Sequence, residues 1–180
     1  MKDEVEFQIV SIAPIRKDEQ YGGFRARLDA VYDTITTPMS IDVTTGDVMT
    51  PSPVPYEFSG IFDESVRINI WGYNVETVLA EKAETILSRG SFNTRTRDYY
   101  DIYILSTTQE IDKTLFRKAL AATADHRGST SQISNLEVII ARLSGSDDLK
   151  QLWIKYQKKF VYAQDITYES ILEVLSNLMR

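Results

Sequence analysis

Lys82, Asp98 and Asp101 are the residues of this chain whose types and spacing first suggest chemistry. In Asn74-Val75-Glu76-Thr77-Val78-Leu79-Ala80-Glu81-Lys82-Ala83-Glu84-Thr85-Ile86-Leu87, the apolar Val75, Val78, Leu79 and Ile86 share one helical stripe. At about 100° per residue, Lys82 falls in the middle of that stripe, between Leu79 and Ile86. An ammonium placed among apolar side chains is costly unless an anion meets it. Downstream, in Arg97-Asp98-Tyr99-Tyr100-Asp101-Ile102-Tyr103-Ile104-Leu105, the two carboxylates Asp98 and Asp101 share a face with Ile102 and Leu105. They become partners for Lys82 if the two helices form an antiparallel pair. Two readings follow. One is a structural ion pair that fixes two helices together. The other is a polar site at a helix–sheet junction, with Lys82 available to a phosphate.

Asp42 shares a strand face with Ser40, while Ile41 and Val43 take the other. A strand-end carboxylate suits Mg²⁺, which wants hard oxygen ligands, in phosphoryl-transfer sheets. A solvated Asp is the plainer reading, because most Asp side chains are exposed. Arg89, Arg95 and Arg97 bracket the loop between the two helices, and guanidinium forks suit phosphate. Arginines near helix ends also simply complement dipole and solvent. Lys150, Lys155, Lys158 and Lys159 read as a solvated helix face, and His126, the single histidine, receives no role.

These residues need elements to position them. The 180 residues are 43% hydrophobic, enough for one ordinary domain or two small lobes. A net charge of -6 gives no bulk attraction for nucleic acid, so such a partner must be met by a local basic patch. The absence of cysteine excludes disulfides, thiol catalysis and cysteine-ligated zinc. Met1 to Glu6 has no signal-peptide character and no run is long enough to span a bilayer. The expectation is a cytoplasmic protein with no membrane partner.

Strands are expected at Glu6 to Ile12, Phe24 to Tyr32, Met39 to Val43 and Val66 to Trp71, with a turn at Gly22-Gly23 and a proline-containing loop over Pro51, Pro53 and Pro55. From Asn74 the period becomes helical. The first helix should end near Arg89-Gly90, and Ser91 to Arg95 should form a loop. Further helices are expected from Arg97 to Leu105, Thr114 to Ala124, Ser131 to Leu143, Asp147 to Phe160 and Tyr168 to Leu178. Strands followed by helices imply an α+β fold, divided into a mostly β part over residues 1–73 and a helical part over 74–180.

Three segments together resemble the AbiEii/AbiGii toxin family of nucleotidyltransferases: Ser40-Ile41-Asp42-Val43-Thr44-Thr45-Gly46-Asp47, Glu76 to Lys82 with its Leu-Ala-Glu-Lys string, and Arg97-Asp98-Tyr99-Tyr100-Asp101-Ile102-Tyr103. The resemblance covers roughly Glu6 to Leu105, and the Leu-Ala-Glu-Lys string with the following Arg-Asp-x-x-Asp is specific as a pair. It implies part of a polymerase-β-like nucleotidyltransferase core followed by a helical half. It also implies the toxin of an abortive-infection, type IV-like toxin–antitoxin pair used in phage defence, with a cognate antitoxin as partner. The implied reaction moves a nucleotidyl group from a nucleoside triphosphate to an acceptor such as tRNA, with Mg²⁺ as cofactor. On this resemblance Asp42 would be a metal-site carboxylate or general base, Lys82 would hold the triphosphate, and Asp98 or Asp101 would orient Lys82 or the nucleotide. Glu81 and Arg97 belong to the same nucleotide-binding set.

Two departures shape the expectation. The family's first motif, a Gly-Gly-Ser/Thr or Gly-Ser loop followed by Asp-x-Asp, supplies the main metal ligands and is not in this sequence. Gly22-Gly23-Phe24 with Asp29 and Asp33 does not replace it, because Phe24 has no hydroxyl and the carboxylates are four apart. Ser40 also stands where the family usually has a basic residue, two positions before Asp42. The chain is therefore expected to correspond to the rear portion of a family member, truncated or degenerate. The alternative is a non-catalytic module that binds nucleotide or antitoxin.

Overall fold

The computed structural model describes residues 4–15 and 22–180, and the chain divides into two compact units, Met1–Asp47 and Val48–Arg180. The first unit is an antiparallel meander of β1 (Glu6–Ile15), β2 (Gly23–Tyr32) and β3 (Ile35–Thr44), in that spatial order. Asp33 and Thr34 join β2 to β3 as a tight hairpin, with Asp33 at φ 52°, a conformation that Asp tolerates better than most residues. The register pairs Phe24 with Val43, Ala26 with Ile41 and Leu28 with Met39. On the other side it pairs Phe7 with Ala30, Ile9 with Leu28 and Ile12 with Ala26. One sheet face is thus apolar and the other carries Arg25, Arg27, Asp29 and Asp42. Ile9 and Ile12 are three residues apart and would point to opposite faces of a regular strand. The register shift between Ile9 and Ser11 puts them on one face. Of the expected Gly22-Gly23 turn, Gly22 is exposed and precedes the strand, while Gly23 itself opens β2.

The second unit begins with a hairpin of β4 (Val54–Ser59) and β5 (Arg67–Gly72). The proline run led to a loop expectation where β4 stands. Pro55 is tolerated there because β4 pairs on one side only, and Tyr56 and Phe58 alternate with Pro55, Glu57 and Ser59 as a strand requires. Six helices follow: α1 (Val75–Arg89), α2 (Thr96–Thr108), α3 (Lys113–His126), α4 (Leu136–Ser144), α5 (Asp147–Lys159) and α6 (Tyr168–Met179). Short 3₁₀ turns at Gly90–Phe92 and Val161–Ala163 separate α1 from α2 and α5 from α6. The strand-then-helix succession is the expected α+β order. Helix α4 starts five residues later than the apolar pattern indicates, because Asn135 caps it by accepting the Val138 N–H at 3.2 Å.

Caps fix the remaining boundaries. Asn74 accepts the Thr77 N–H, Asp112 accepts the Thr114 and Leu115 N–H groups, and Ser146 and Thr167 do the same for α5 and α6. Gly90 closes α1 at φ 53°, ψ -130°, a region open to glycine and strained for any side chain. The core is helical and includes Leu79, Ala83, Ile86, Tyr99, Ile102, Phe116, Leu143, Trp153, Ile171 and Leu175. Tyr99 and Tyr168 pack with ring centroids 5.8 Å apart, the Tyr168 hydroxyl donates to the Leu143 carbonyl at 3.2 Å, and the Trp153 indole N–H donates to the Ile166 carbonyl at 2.8 Å.

Burial holds the Tyr99 and Tyr156 hydroxyls protonated well beyond the ordinary phenol range and pushes Tyr168 up to about 12. A group whose folded pKa is raised gives stability that is present below its unfolded value, near 10, and is lost as pH rises through the folded value. Helical circular dichroism should therefore disappear together with the rise of tyrosinate absorbance between pH ~10 and ~12. Intact helix at pH ~12, with tyrosines titrating as free phenols, would contradict this assignment of the core.

Candidate functional site

Helices α1 and α2 are joined through residues 90–95 and pack side by side. The start of α1 is tied to the segment before β4 by Thr77, whose hydroxyl donates to the Thr50 carbonyl at 3.0 Å and accepts the Thr50 N–H at 3.1 Å. Asn93, fully buried, holds the connection by accepting the Arg95 N–H at 3.0 Å. This frame positions Lys82 on α1 opposite Asp98 and Asp101 on α2.

The Lys82 ammonium donates to Asp101 Oδ2 at 2.6 Å and to Asp98 Oδ1 at 3.4 Å. All three side chains are half-buried, with 22% of Lys82, 15% of Asp98 and 19% of Asp101 exposed. Arg97, 83% exposed, brings its Nε to 3.9 Å of the same Asp101 oxygen. The four formal charges sum to zero only when Arg97 is counted. The sequence pattern places Lys82 at the middle of the buried stripe. The buried ridge instead runs through Leu79, Ala80, Ala83, Ile86 and Leu87, and Lys82 stands at its margin. Ala80 and Ala83 belong to that buried ridge although the apolar stripe of the sequence does not include them. The margin is where an ammonium can meet carboxylates on one side and solvent on the other.

Sequence reasoning missed two more carboxylates of α1. Glu84 is buried; it accepts from Arg127 Nη1 at 2.6 Å and from the Ser129 hydroxyl at 2.7 Å. Glu76 is also buried and accepts the Asp112 N–H at 3.1 Å and Asn74 Nδ2 at 2.9 Å. Both are satisfied structural anions that pin α1 to the flanks of α3. Apart from Asn74, their partners lie 36 to 45 residues away, beyond any periodic signal. Glu81 sits half-buried on α1 and its carbonyl accepts the Thr85 hydroxyl at 2.9 Å. Arg89 and Arg95 are exposed, as are Lys155, Lys158 and Lys159, and His126 lies in the last turn of α3.

Asp42 lies in the first unit, on β3, directly opposite Arg25 of β2. Arg25 grips it at two points, Nε to Oδ1 and Nη2 to Oδ2, each at 2.6 Å. This fork supplies the basic partner that Ser40 does not, from the neighbouring strand. A divalent ion needs several hard oxygens in one place. Among the described residues no group of three His, Asp or Glu side chains could hold a metal ion. With Asp42 committed to Arg25 as well, the described residues do not fit Mg²⁺. No helix among the described residues is long and apolar enough to cross a membrane.

The family model described as nucleotidyl transferase AbiEii toxin, type IV TA system, matches residues 1–175. The match extends well past Leu105, through α3, α4 and α5 and into α6. No curated protein and no solved structure matches the chain.

The cluster geometry sets a stability test. Lys82→Met leaves Asp98 and Asp101 half-buried without their ammonium and should lower unfolding free energy by roughly 1–3 kcal/mol in urea denaturation. Adding Asp98→Asn and Asp101→Asn should restore part of that loss. An unchanged urea midpoint for Lys82→Met would remove the ion cluster from the forces holding α1 to α2.

Proposed function

The chain belongs to the AbiEii nucleotidyl transferase toxin family of type IV toxin–antitoxin systems, and from that premise we propose that its α1–α2 pair holds the triphosphate of a nucleoside triphosphate on Lys82. The observation that carries this reading is the Lys82 ammonium fixed at 2.6 Å from Asp101 while 22% of its side chain stays open to solvent. An ammonium has three donors. Asp101 and Asp98 take two, which sets the direction of the third, and an anion arriving there meets a cation whose rotamer is already fixed. Arg97 adds a second positive charge at the open side of the cluster, and its guanidinium suits phosphate oxygens.

Nucleotidyl transfer forms a bond from an acceptor oxygen to the α-phosphorus and breaks the α–β linkage, with pyrophosphate carrying away the electron pair. A positive charge held at the triphosphate tail favours that departure, so Lys82 would act by positioning and electrostatics. The acceptor proposed is a hydroxyl of an RNA such as tRNA, and the family implies an antitoxin partner. The family's chemistry suggests a divalent ion, but the described residues do not fit one. The Gly-Ser/Asp-x-Asp motif is likewise not among the 180 residues. The residues present are proposed to supply the nucleotide-holding part of a transferase site. The Arg25–Asp42 fork favours a second reading, a non-catalytic module that binds nucleotide or antitoxin.

Calorimetric titration with ATP, GTP, CTP and UTP in Mg²⁺ tests the proposal. At least one should bind, and Lys82→Ala should weaken it tenfold or more, on the order of 1.4 kcal/mol. Incubation with labelled triphosphates and total tRNA should leave no label on RNA when this chain acts alone. Binding unaffected by Lys82→Ala would overturn the assignment, and RNA labelling by the isolated chain would overturn its non-catalytic half.

A further inference from the structure

Beside the Lys82 cluster lies a group of aromatic rings that the proposed phosphate contact does not use. Arg97, Tyr100 and Asp101 occupy one face of α2, at spacings of three and four residues. Tyr100 meets Tyr162 with ring centroids 4.6 Å apart and Tyr156 at 6.4 Å. The Tyr156 and Tyr162 hydroxyls share a hydrogen bond of 3.0 Å, and Tyr162 stacks on Phe160 at 5.3 Å with an interplanar angle of 27°. Lys159 places its ammonium 5.3 Å over the Phe160 ring. The group is not simply core, because its members differ sharply in burial. Tyr156 is 8% exposed, whereas Tyr162 is 55% exposed although three other rings hold it.

An exposed tyrosine is ordinarily mobile. Here the hydroxyl bond to Tyr156 and the contacts with Tyr100 and Phe160 fix the ring, and its outward side remains accessible. Cations stand near both ends of the group, Arg97 one turn before Tyr100 on α2 and Lys159 over Phe160. A planar surface held rigid between positive charges is complementary to a planar ligand that carries negative charge. Asp101 connects this surface to the phosphate contact, since it bonds Lys82 and directly follows Tyr100.

We infer that Tyr162, braced by Tyr100 and Tyr156 and flanked by Arg97, is a stacking platform for an unpaired nucleobase whose phosphates lie toward Lys82. This rests on the nucleotide reading given under Proposed function and adds the base contact that reading lacks. The nucleobase can belong to the free nucleoside triphosphate or to the unpaired end of an acceptor RNA. Both present the same π face and adjacent phosphate, and stacking tolerates any base. Arg97 would then serve two neighbours, the phosphate and the edge of the stack.

The test uses the full chain with Tyr162→Ala and Tyr162→Phe, three probes and calorimetric titration. The probes are a nucleoside triphosphate that binds wild type, single-stranded oligo(A), and inorganic tripolyphosphate, which has no base. Tyr162→Ala should weaken a base-bearing probe by roughly tenfold or more, as loss of one base–aromatic stack does, while Tyr162→Phe stays within about threefold of wild type. Tripolyphosphate should respond to Lys82→Ala and not to either Tyr162 variant. An effect confined to the triphosphate assigns the stacked base to the free nucleotide, and one confined to oligo(A) assigns it to the RNA. Equal binding of both base-bearing probes by wild type and Tyr162→Ala overturns the platform while leaving the Lys82 reading standing. Failure of wild type to bind any probe overturns both. Equal urea midpoints for wild type and Tyr162→Ala are expected from the exposure of Tyr162, and a fall in binding that only follows unfolding would also overturn the platform.

Discussion

The ion cluster between Lys82, Asp98 and Asp101 is the constraint around which the helical unit is arranged. A lysine at the margin of a buried ridge must be met by anions, and two aspartates three residues apart on the neighbouring helix meet it. That requirement sets how α1 and α2 face each other. It also explains the connection between them, where Gly90 turns the chain at a backbone angle side chains resist and buried Asn93 stabilises the approach to α2. Ala80 and Ala83 are fully buried on α1, whose Lys82 makes the 2.6 Å contact to Asp101 of α2.

Helix α1 is unusual in burying charge on two sides. Glu76 and Glu84 are enclosed, each with two hydrogen-bond donors, and tie the helix to the beginning and the end of α3. Lys82 ties it to α2. A buried ion pair is weak evidence for net stability but strong evidence for geometry, since breaking it orphans a charge. The helix therefore sits in a fixed orientation, and the proposed phosphate contact would need that rigidity more than many contacts.

Much of this was legible from the residues. The helical period placed Lys82 toward the interior, and the three-residue spacing of Asp98 and Asp101 put both carboxylates on the face that meets it. The Asn, Asp, Ser and Thr caps made several helix starts readable to within a residue. What escaped depended on distant partners or weak local signals. Glu84 looks like a solvated helix residue until Arg127 and Ser129 return to it. Strand β4 was hidden by its prolines, and the paired faces of β1 were obscured by one extra residue at the bulge. Asp42 was readable as a polar strand residue, but its arginine partner came from the neighbouring strand rather than from its own motif. The aromatic group around Tyr162 joins α2 to the segment after α5, a contact no single-helix pattern announces.

The central claim is that Lys82 is an oriented ammonium waiting for phosphate rather than a strut alone. The side-chain ammonium resonance of Lys82, observed by ¹⁵N-edited NMR and assigned with Lys82→Arg, reports on it directly. Hydrogen bonding to Asp98 and Asp101 should make the resonance observable in the ligand-free protein. Addition of a nucleoside triphosphate should shift it in a saturable way with the same midpoint as binding. A triphosphate that binds the protein and leaves the Lys82 resonance in place would contradict the account, and Lys82 would then be a strut between two helices and nothing more.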